Sequence, residues 1–334
     1  MIRKLIGFAF LLFPVLAFGQ ADQGTITGTV AYQDIKVAAA TVQAKNTATS
    51  KVYTAIAGKT GNFTIPGLPA GTYEVSVPAV GITTARYVKK DVAVGARQSV
   101  SLDIHLPATP DSVVGDDVLF LTIHNTYSGL SGPAPRTLDG KPDFSGVWLA
   151  NRDPEPEPPA ALPWAVDAVK ERVANHLQDF PWALCLPFEP YPSLPSLYRI
   201  VQSPAILVQL FSQEPHYRQV YLDGRAHPKD LDPAYMGHSV GRWDGNSLVI
   251  DSIGFNDKTW LGLDLLPHTE ILHVTERLSR PDLAHLNIDV TIEDPGTFMK
   301  PLHRHMTWEL APGEVLADYI CTENNKFIEN TTHK

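Results

Sequence analysis

From Gly24 onward, apolar and polar residues alternate in short runs, and most of these runs end at Gly, Pro, Asn or Asp. A strand turns successive side chains to opposite faces, so a period of two over a handful of residues marks a half-buried strand. Thr25 to Val30, Thr41 to Lys45, Phe63 to Ile65 and Thr72 to Val77 carry that period, with turn residues at Thr60-Gly61-Asn62 and Pro66 to Gly71 between them. The chain's 28 Pro and 23 Gly favour turns over long helices. The pattern predicts an all-β protein. At 334 residues it is long enough for two domains, and 44% hydrophobic with 19% charged residues supplies real cores. Lys and Arg number 27 against 36 Asp and Glu, a net charge of −9, which argues against a nucleic-acid or anionic-membrane partner.

Residues 1–19 read as an export signal. Arg3 and Lys4 precede the apolar stretch Leu5 to Phe18, and Ala17-Phe18-Gly19 supplies small residues for cleavage. The expectation is a periplasmic or secreted protein starting near Gln20, with no membrane span after cleavage; the alternative is an uncleaved anchor. An oxidising compartment favours a disulfide between Cys185 and Cys321, the only two cysteines, over two buried thiols.

Seven or so short strands between residues 20 and 107 predict a small β-sandwich. The stretches GTITGTV and KTGNFTIPGLPAGTYEVSV resemble the carboxypeptidase regulatory-like domain, a transthyretin-like sandwich grouped with carbohydrate-binding-like folds. That resemblance implies a spacer, stabilising or adhesion module beside another domain; it assigns no chemistry.

Residues 108–136 read as a linker, in which the apolar run Val118 to Ile123 is expected to dock as a strand. The remainder, 137–334, forms the second domain. Trp164 to Phe180 has helical spacing, with Val166, Val169, Val173 and Leu177 on one face, and is the one short helix expected. Eight or nine alternating segments, joined mostly by hairpins such as Trp243 to Leu248, predict a closed barrel or curled sheet. The opening DGKPDFSGVW is similar to the first strand of lipocalin-like barrels. With YLDGRAHP, GHSVGRWDGNSLVIDSIGF and PHTEILHVTERLSR, it resembles a family of exported, largely uncharacterised bacterial proteins. The resemblance implies compartment and fold, and no activity.

GHSVG matches the Gly-x-Ser-x-Gly nucleophile pattern at Ser239, with Asp251 and His273 following in the right order. A hairpin follows, however, where a hydrolase of that type needs a helix and a parallel sheet, so the motif is read as a coincidence. The histidines lead elsewhere. YLDGRAHP brings Asp223, Arg225 and His227 to a turn, and His238, His268 and His273 follow. On an extended strand His273, Thr275 and Arg277 share one face and Glu276 takes the other. His227, His238 and His273 are the expected catalytic residues at the barrel mouth, with Asp223 orienting an imidazole. Arg225, Ser239, Trp243, His268 and Arg277 are expected to bind substrate. Imidazole with carboxylate serves acid–base chemistry near neutral pH, and Arg holds an anionic group. A lyase or hydrolase acting on a small carbohydrate-like or phenolic compound follows. The alternatives are a non-catalytic glycan- or envelope-binding protein, and a metal enzyme. No cofactor is predicted, and no HExxH or CxxC spacing supports a divalent metal such as zinc. Trp148, Trp243, Trp260 and Trp308 are read first as core packing and second as aromatic platforms.

Overall fold

The computed structural model describes residues 23–80, 84–108, 117–151, 156–194, 196–212, 216–321 and 323. The expected export signal lies outside them. Among the described residues no helix is long and apolar enough to cross a membrane.

The first domain contains β1 (Gly24–Tyr32), β2 (Ile35–Lys36), β3 (Thr41–Asn46), β4 (Val52–Ile56), β5 (Asn62–Leu68), β6 (Gly71–Val77), β7 (Tyr87–Val94), β8 (Ser99–Ser101) and β9 (Ile104–His105). One sheet has the order β2-β1-β5, with β8 and β9 parallel to β1; the other runs β4-β3-β6-β7. Ile26, Val42, Phe63, Ile65, Tyr73 and Val75 fill the space between them, as the alternation requires. Gly28 has a packing reason: a Cβ there would stand 1.9 Å from the Leu102 carbonyl oxygen. The Tyr73 hydroxyl donates to the Pro69 carbonyl at 2.7 Å and pins the turn before its own strand.

The expected strand at Val118 to Ile123 is instead part of a helix, α1 (Asp117–Tyr127). Phe120, Leu121, Ile123 and His124 are buried, while Val118 and Leu119 are exposed. A run that is apolar at every position but Thr122 shows no clear period, so only this burial pattern reveals the helical face. The helix fastens the two domains together. Asn125 accepts from the Ala38 amide at 2.9 Å and donates to the Lys36 carbonyl at 2.8 Å. His124 meets the Ala38 carbonyl through Nε2 at 2.9 Å and Glu309 through Nδ1 at 2.6 Å. Both partners only accept, so a ring carrying two N–H groups satisfies both. Burial alone would push the His124 imidazole down; the Glu309 carboxylate and the Ala38 carbonyl outweigh it and hold it above its usual range. The contribution of His124 is therefore complete below the ordinary imidazole value and fades as pH rises through the elevated one. His124→Leu is expected to lower the melting temperature most under mildly acidic conditions, with the gap to wild type closing as pH rises. A gap that stays constant across that range would contradict the charged clamp.

The second domain is a closed barrel of nine strands in sequence order: β10 (Gly146–Leu149), β11 (Leu197–Gln202), β12 (Ile206–Phe211), β13 (Tyr217–Tyr221), β14 (His238–Asp244), β15 (Ser247–Ile253), β16 (His273–Ser279), β17 (His285–Glu293) and β18 (Leu302–Leu310). An odd ring cannot alternate direction all the way round, so at least one neighbouring pair must be parallel. That pair is β13 with β14. Parallel neighbours need a long crossover rather than a tight turn, and here residues 222–237 provide it. The ring closes where β18 meets β10, through the pairs Trp148↔Leu310 and Leu149↔Glu309.

Inward side chains fill the barrel. Trp148, Tyr198, Leu207, Leu248, Ile250, Val274, Ile288, Val290 and Trp308 belong to one core, and Tyr198 stacks on Trp308. A second helix, α2 (Pro163–Ala174), lies in the long excursion between β10 and β11. Its expected apolar face is only partly covered: Val169 and Leu177 are half-buried against core residues, Val166 and Val173 are exposed, Ala165 is the buried residue, and His176 and Leu177 beyond its end have positive φ. The same excursion carries Cys185, which is disulfide-bonded to Cys321.

Candidate functional site: an imidazole row on the barrel wall

The barrel interior is packed, and the histidines expected at its mouth lie on its outer wall. Val274, Glu276 and Leu278 of β16 point inward, so His273 and Thr275 point outward; in β14 Ser239 points inward and His238 outward. The strands bring His238, Asp251 and His273 to adjacent places on that wall, because Val240 pairs with Asp251 and Asp251 with Thr275. The crossover drops His227 onto them. Gly237, with φ of +57° where a Cβ would stand 2.6 Å from the Ile253 carbonyl oxygen, permits the tight entry into β14.

The contacts form a row. His238 Nδ1 lies 2.8 Å from His227 Nδ1, and His227 Nε2 lies 2.9 Å from Asp251 Oδ1. Asp251 Oδ2 lies 2.9 Å from His273 Nε2, and His273 Nδ1 lies 3.2 Å from Glu293 Oε2. Burial pushes the Asp251 carboxyl up, but hydrogen bonds from His273 and His227 and the charge of both rings reverse this and hold it below the usual carboxylate range. Burial pushes the His238 imidazole down, and the nearby charges of His227 and Arg225 lower it further.

Donor and acceptor counting gives the tautomers of the row when its rings are neutral. Asp251 is ionised and only accepts, so His227 donates through Nε2, and in its neutral form it accepts at Nδ1. His238 must then donate from Nδ1, which leaves a lone pair on its Nε2. That nitrogen has no protein partner among the described residues. The His238 ring also stacks on Tyr221 with centroids 5.3 Å apart. The Arg225 guanidinium lies 4.0 Å from the same Tyr221 ring.

Several expected roles change. Asp223 orients no imidazole: it grips Arg225, contacting Nε at 2.9 and 3.0 Å, and Asp251 takes the orienting part. Among the described residues Arg225 Nη1 has no hydrogen-bond partner. Ser239 is buried inside the barrel, accepting from Arg218 Nε at 3.1 Å and sharing a hydrogen bond with Ser252 at 2.9 Å, so it meets neither solvent nor His238. The glycines of its motif are there for packing, since a Cβ on Gly241 would stand 2.5 Å from Leu222. His268 is buried away from the row between Thr259 Oγ1 at 2.6 Å and the Thr269 carbonyl at 3.1 Å. Trp243, five residues along β14 or about 17 Å from His238, stacks on Phe144. Arg277, four residues or about 13 Å beyond His273, pairs with Asp244. Trp148, Trp260 and Trp308 are buried packing residues.

The sequence reading missed Asp251, Glu293 and Tyr221 as members of the row. It also missed an inner polar set in which Arg218 donates to Glu276, to Ser252 at 2.8 Å and to Gln209 at 3.2 Å. The available signal was strand phase: Asp251 lies opposite Thr275 and so shares the face of His273. Among the described residues no group of three or more His, Cys, Asp or Glu side chains is arranged to hold a metal ion.

Fold and site together define a two-domain all-β protein with a sandwich joined to a filled barrel that carries an acid–base row on its wall. Residues 25–107 match the family model of the carboxypeptidase regulatory-like domain, in agreement with the resemblance read from GNFTIPGLPAGTY. No curated protein matches the chain. Among solved structures, a candidate carbohydrate binding protein from Bacteroides uniformis aligns at 8% identity and TM-score 0.22, over 85% of this chain and 97% of that one. A DUF3823 family protein from Bacteroides ovatus aligns at 8% identity and TM-score 0.20, with the same coverage. At these values neither likeness bears on the fold or ligand of this chain.

Proposed function

We propose that this exported protein is an acid–base enzyme acting on a small polar compound, carbohydrate-like or phenolic, with His238 Nε2 as the base. One observation carries the reading. Among the described residues every other ring nitrogen in the row of three imidazoles faces a partner, and with neutral rings the relay from Asp251 leaves the lone pair on the one that does not. A base whose proton affinity is held low is free of its proton at neutral pH. Arg225 Nη1 suits an anionic group on the substrate. The combination favours elimination: His238 takes a proton from carbon beside a carboxylate, the C–H electron pair becomes a double bond, and the group on the next carbon leaves with its electrons and is protonated by water. Abstracting the proton from water instead would make the same base hydrolytic.

A second reading rests on the crossover. The two hydrogen bonds of His227 also fasten residues 222–237 to the wall, which is sufficient reason for the row in a non-catalytic binding protein. Activity on uronate oligosaccharides and phenolic glycosides, followed by absorbance of a new double bond and by release of reducing sugar, separates the two. His238→Ala is expected to lower turnover about 10²- to 10⁴-fold with little change in melting temperature. The wild-type rate should rise with pH at values below those of an ordinary imidazole. Diethyl pyrocarbonate should acylate His238 ahead of His227 and His273. Turnover that survives His238→Ala would overturn His238 as the base; no wild-type turnover of any of these substrates, with variants that change stability alone, would favour the binding reading.

A further inference from the structure

We infer that the junction between the two domains is a second ligand site, shaped for a neutral polyhydroxylated ring of monosaccharide size. It lies apart from the imidazole row and does not depend on the function proposed for it. A cavity of about 320 Å³ opens there. The sandwich contributes small and apolar residues at 39–41 and 78–80, the barrel contributes Asn151, His285, His305, Thr307 and Glu309, and α1 contributes His124. An apolar strip facing a set of convergent polar groups is the layout of small-molecule sites.

The polar groups are held in place from behind. His285 Nδ1 lies 2.9 Å from both oxygens of Asp282, which also accepts the Ala284 and His285 amides at 2.8 and 2.9 Å. His305 Nδ1 is tied to Asp289 at 2.6 Å. Glu309 is fixed by Asn151 Nδ2 at 2.9 Å and by His124. Such outer partners fix a ring's orientation and tautomer. With Nδ1 donating to a carboxylate, a neutral His285 offers an acceptor at its other nitrogen. The wall is thus rich in acceptors and also holds the Thr307 hydroxyl.

The charge pattern selects the ligand. Among the described residues no Lys or Arg lines the cavity, and the carboxylates of Glu309, Asp282 and Asp289 stand on or just behind its wall, which disfavours an anion. Those carboxylates are already paired with imidazoles, which leaves little net attraction for a cation. Hydroxyl groups donate as well as accept, so a sugar ring matches the acceptors while its C–H face covers the strip from the sandwich. Because both domains supply the walls, an occupant would also strengthen their docking.

The test uses the full chain and four probes, glucose, galactose, mannose and N-acetylglucosamine, with galacturonate as the charged comparison. At least one neutral sugar is expected to raise the melting temperature and to saturate with a dissociation constant of about 1 mM or tighter. It should also shift the imidazole nitrogen signals of His285 and His305, with galacturonate weaker. His285→Ala removes one acceptor and Ala79→Trp fills the space without touching a hydrogen bond. Each should weaken binding about tenfold or more while the unliganded variants melt near wild type. Failure of all four neutral sugars to saturate, or binding that survives both substitutions, overturns the assignment. Tighter binding of galacturonate than of the neutral sugars overturns the neutral-ligand part.

Discussion

Glu276→Ala is expected to destabilise the barrel by about 3–5 kcal/mol, because it strands a guanidinium inside a packed core. Arg218 is 2% exposed and Glu276 1%, and the remaining neighbours, Ser239, Ser252 and Gln209, bring dipoles but no opposing charge. Coulomb attraction and hydrogen bonding together offset the cost of taking two charges out of water, and removing one partner leaves that cost standing. The paired substitution Arg218→Met with Glu276→Leu removes both charges and should recover most of the loss. Urea unfolding of the two variants with unchanged m-value measures the difference. A Glu276→Ala protein with the wild-type midpoint would mean that water reaches Arg218, and the description of a dry, filled barrel would be wrong.

The second large effect belongs to the disulfide. Cys185 and Cys321 are 136 residues apart in sequence, and closing so long a loop restricts the unfolded chain by up to about 5 kcal/mol in the chain-entropy model. Cys185→Ser with Cys321→Ser should therefore bring the denaturation midpoint far down, and reduction of the wild type should match it. The loss should show first around the crosslink. There Trp182 donates to the Tyr319 hydroxyl at 3.0 Å, and Phe180, Phe188 and Trp260 form their own small cluster. Tryptophan fluorescence of the reduced protein should change ahead of the far-ultraviolet signal of the barrel. Coincident transitions would show that the crosslink acts on the whole fold at once.

Local patterning made much of this architecture legible. Period-two runs located most strands of both domains, and the turn residues separated them. The phase of β16 placed His273 opposite Glu276, and this holds: the histidine is on the wall and the glutamate in the core. What could not be read was long-range. Whether a face with alternating polarity looks into a cavity or onto solvent depends on what fills the ring, and the aromatic residues that fill it come from β10, β11 and β18, distant in sequence. The pairing of β13 with β14 is parallel only because of how nine strands close, so the landing place of the crossover and its His227 had no local signature. Asp223 shares a short motif with His227, but Asp251 is the carboxylate that meets its ring. The helix at Val118 to Ile123 was hidden by its own nearly uniform hydrophobicity.

Glu309 sits at the two-pair join that closes the ring, opposite Leu149, and it is also the residue that α1 grasps through His124. One residue therefore serves two closures, its backbone shutting the cylinder and its carboxylate mooring the leading module against it. A force or protease that pries the modules apart pulls on the cylinder at the seam that closes it, and a cylinder that gapes there loosens its hold on its companion.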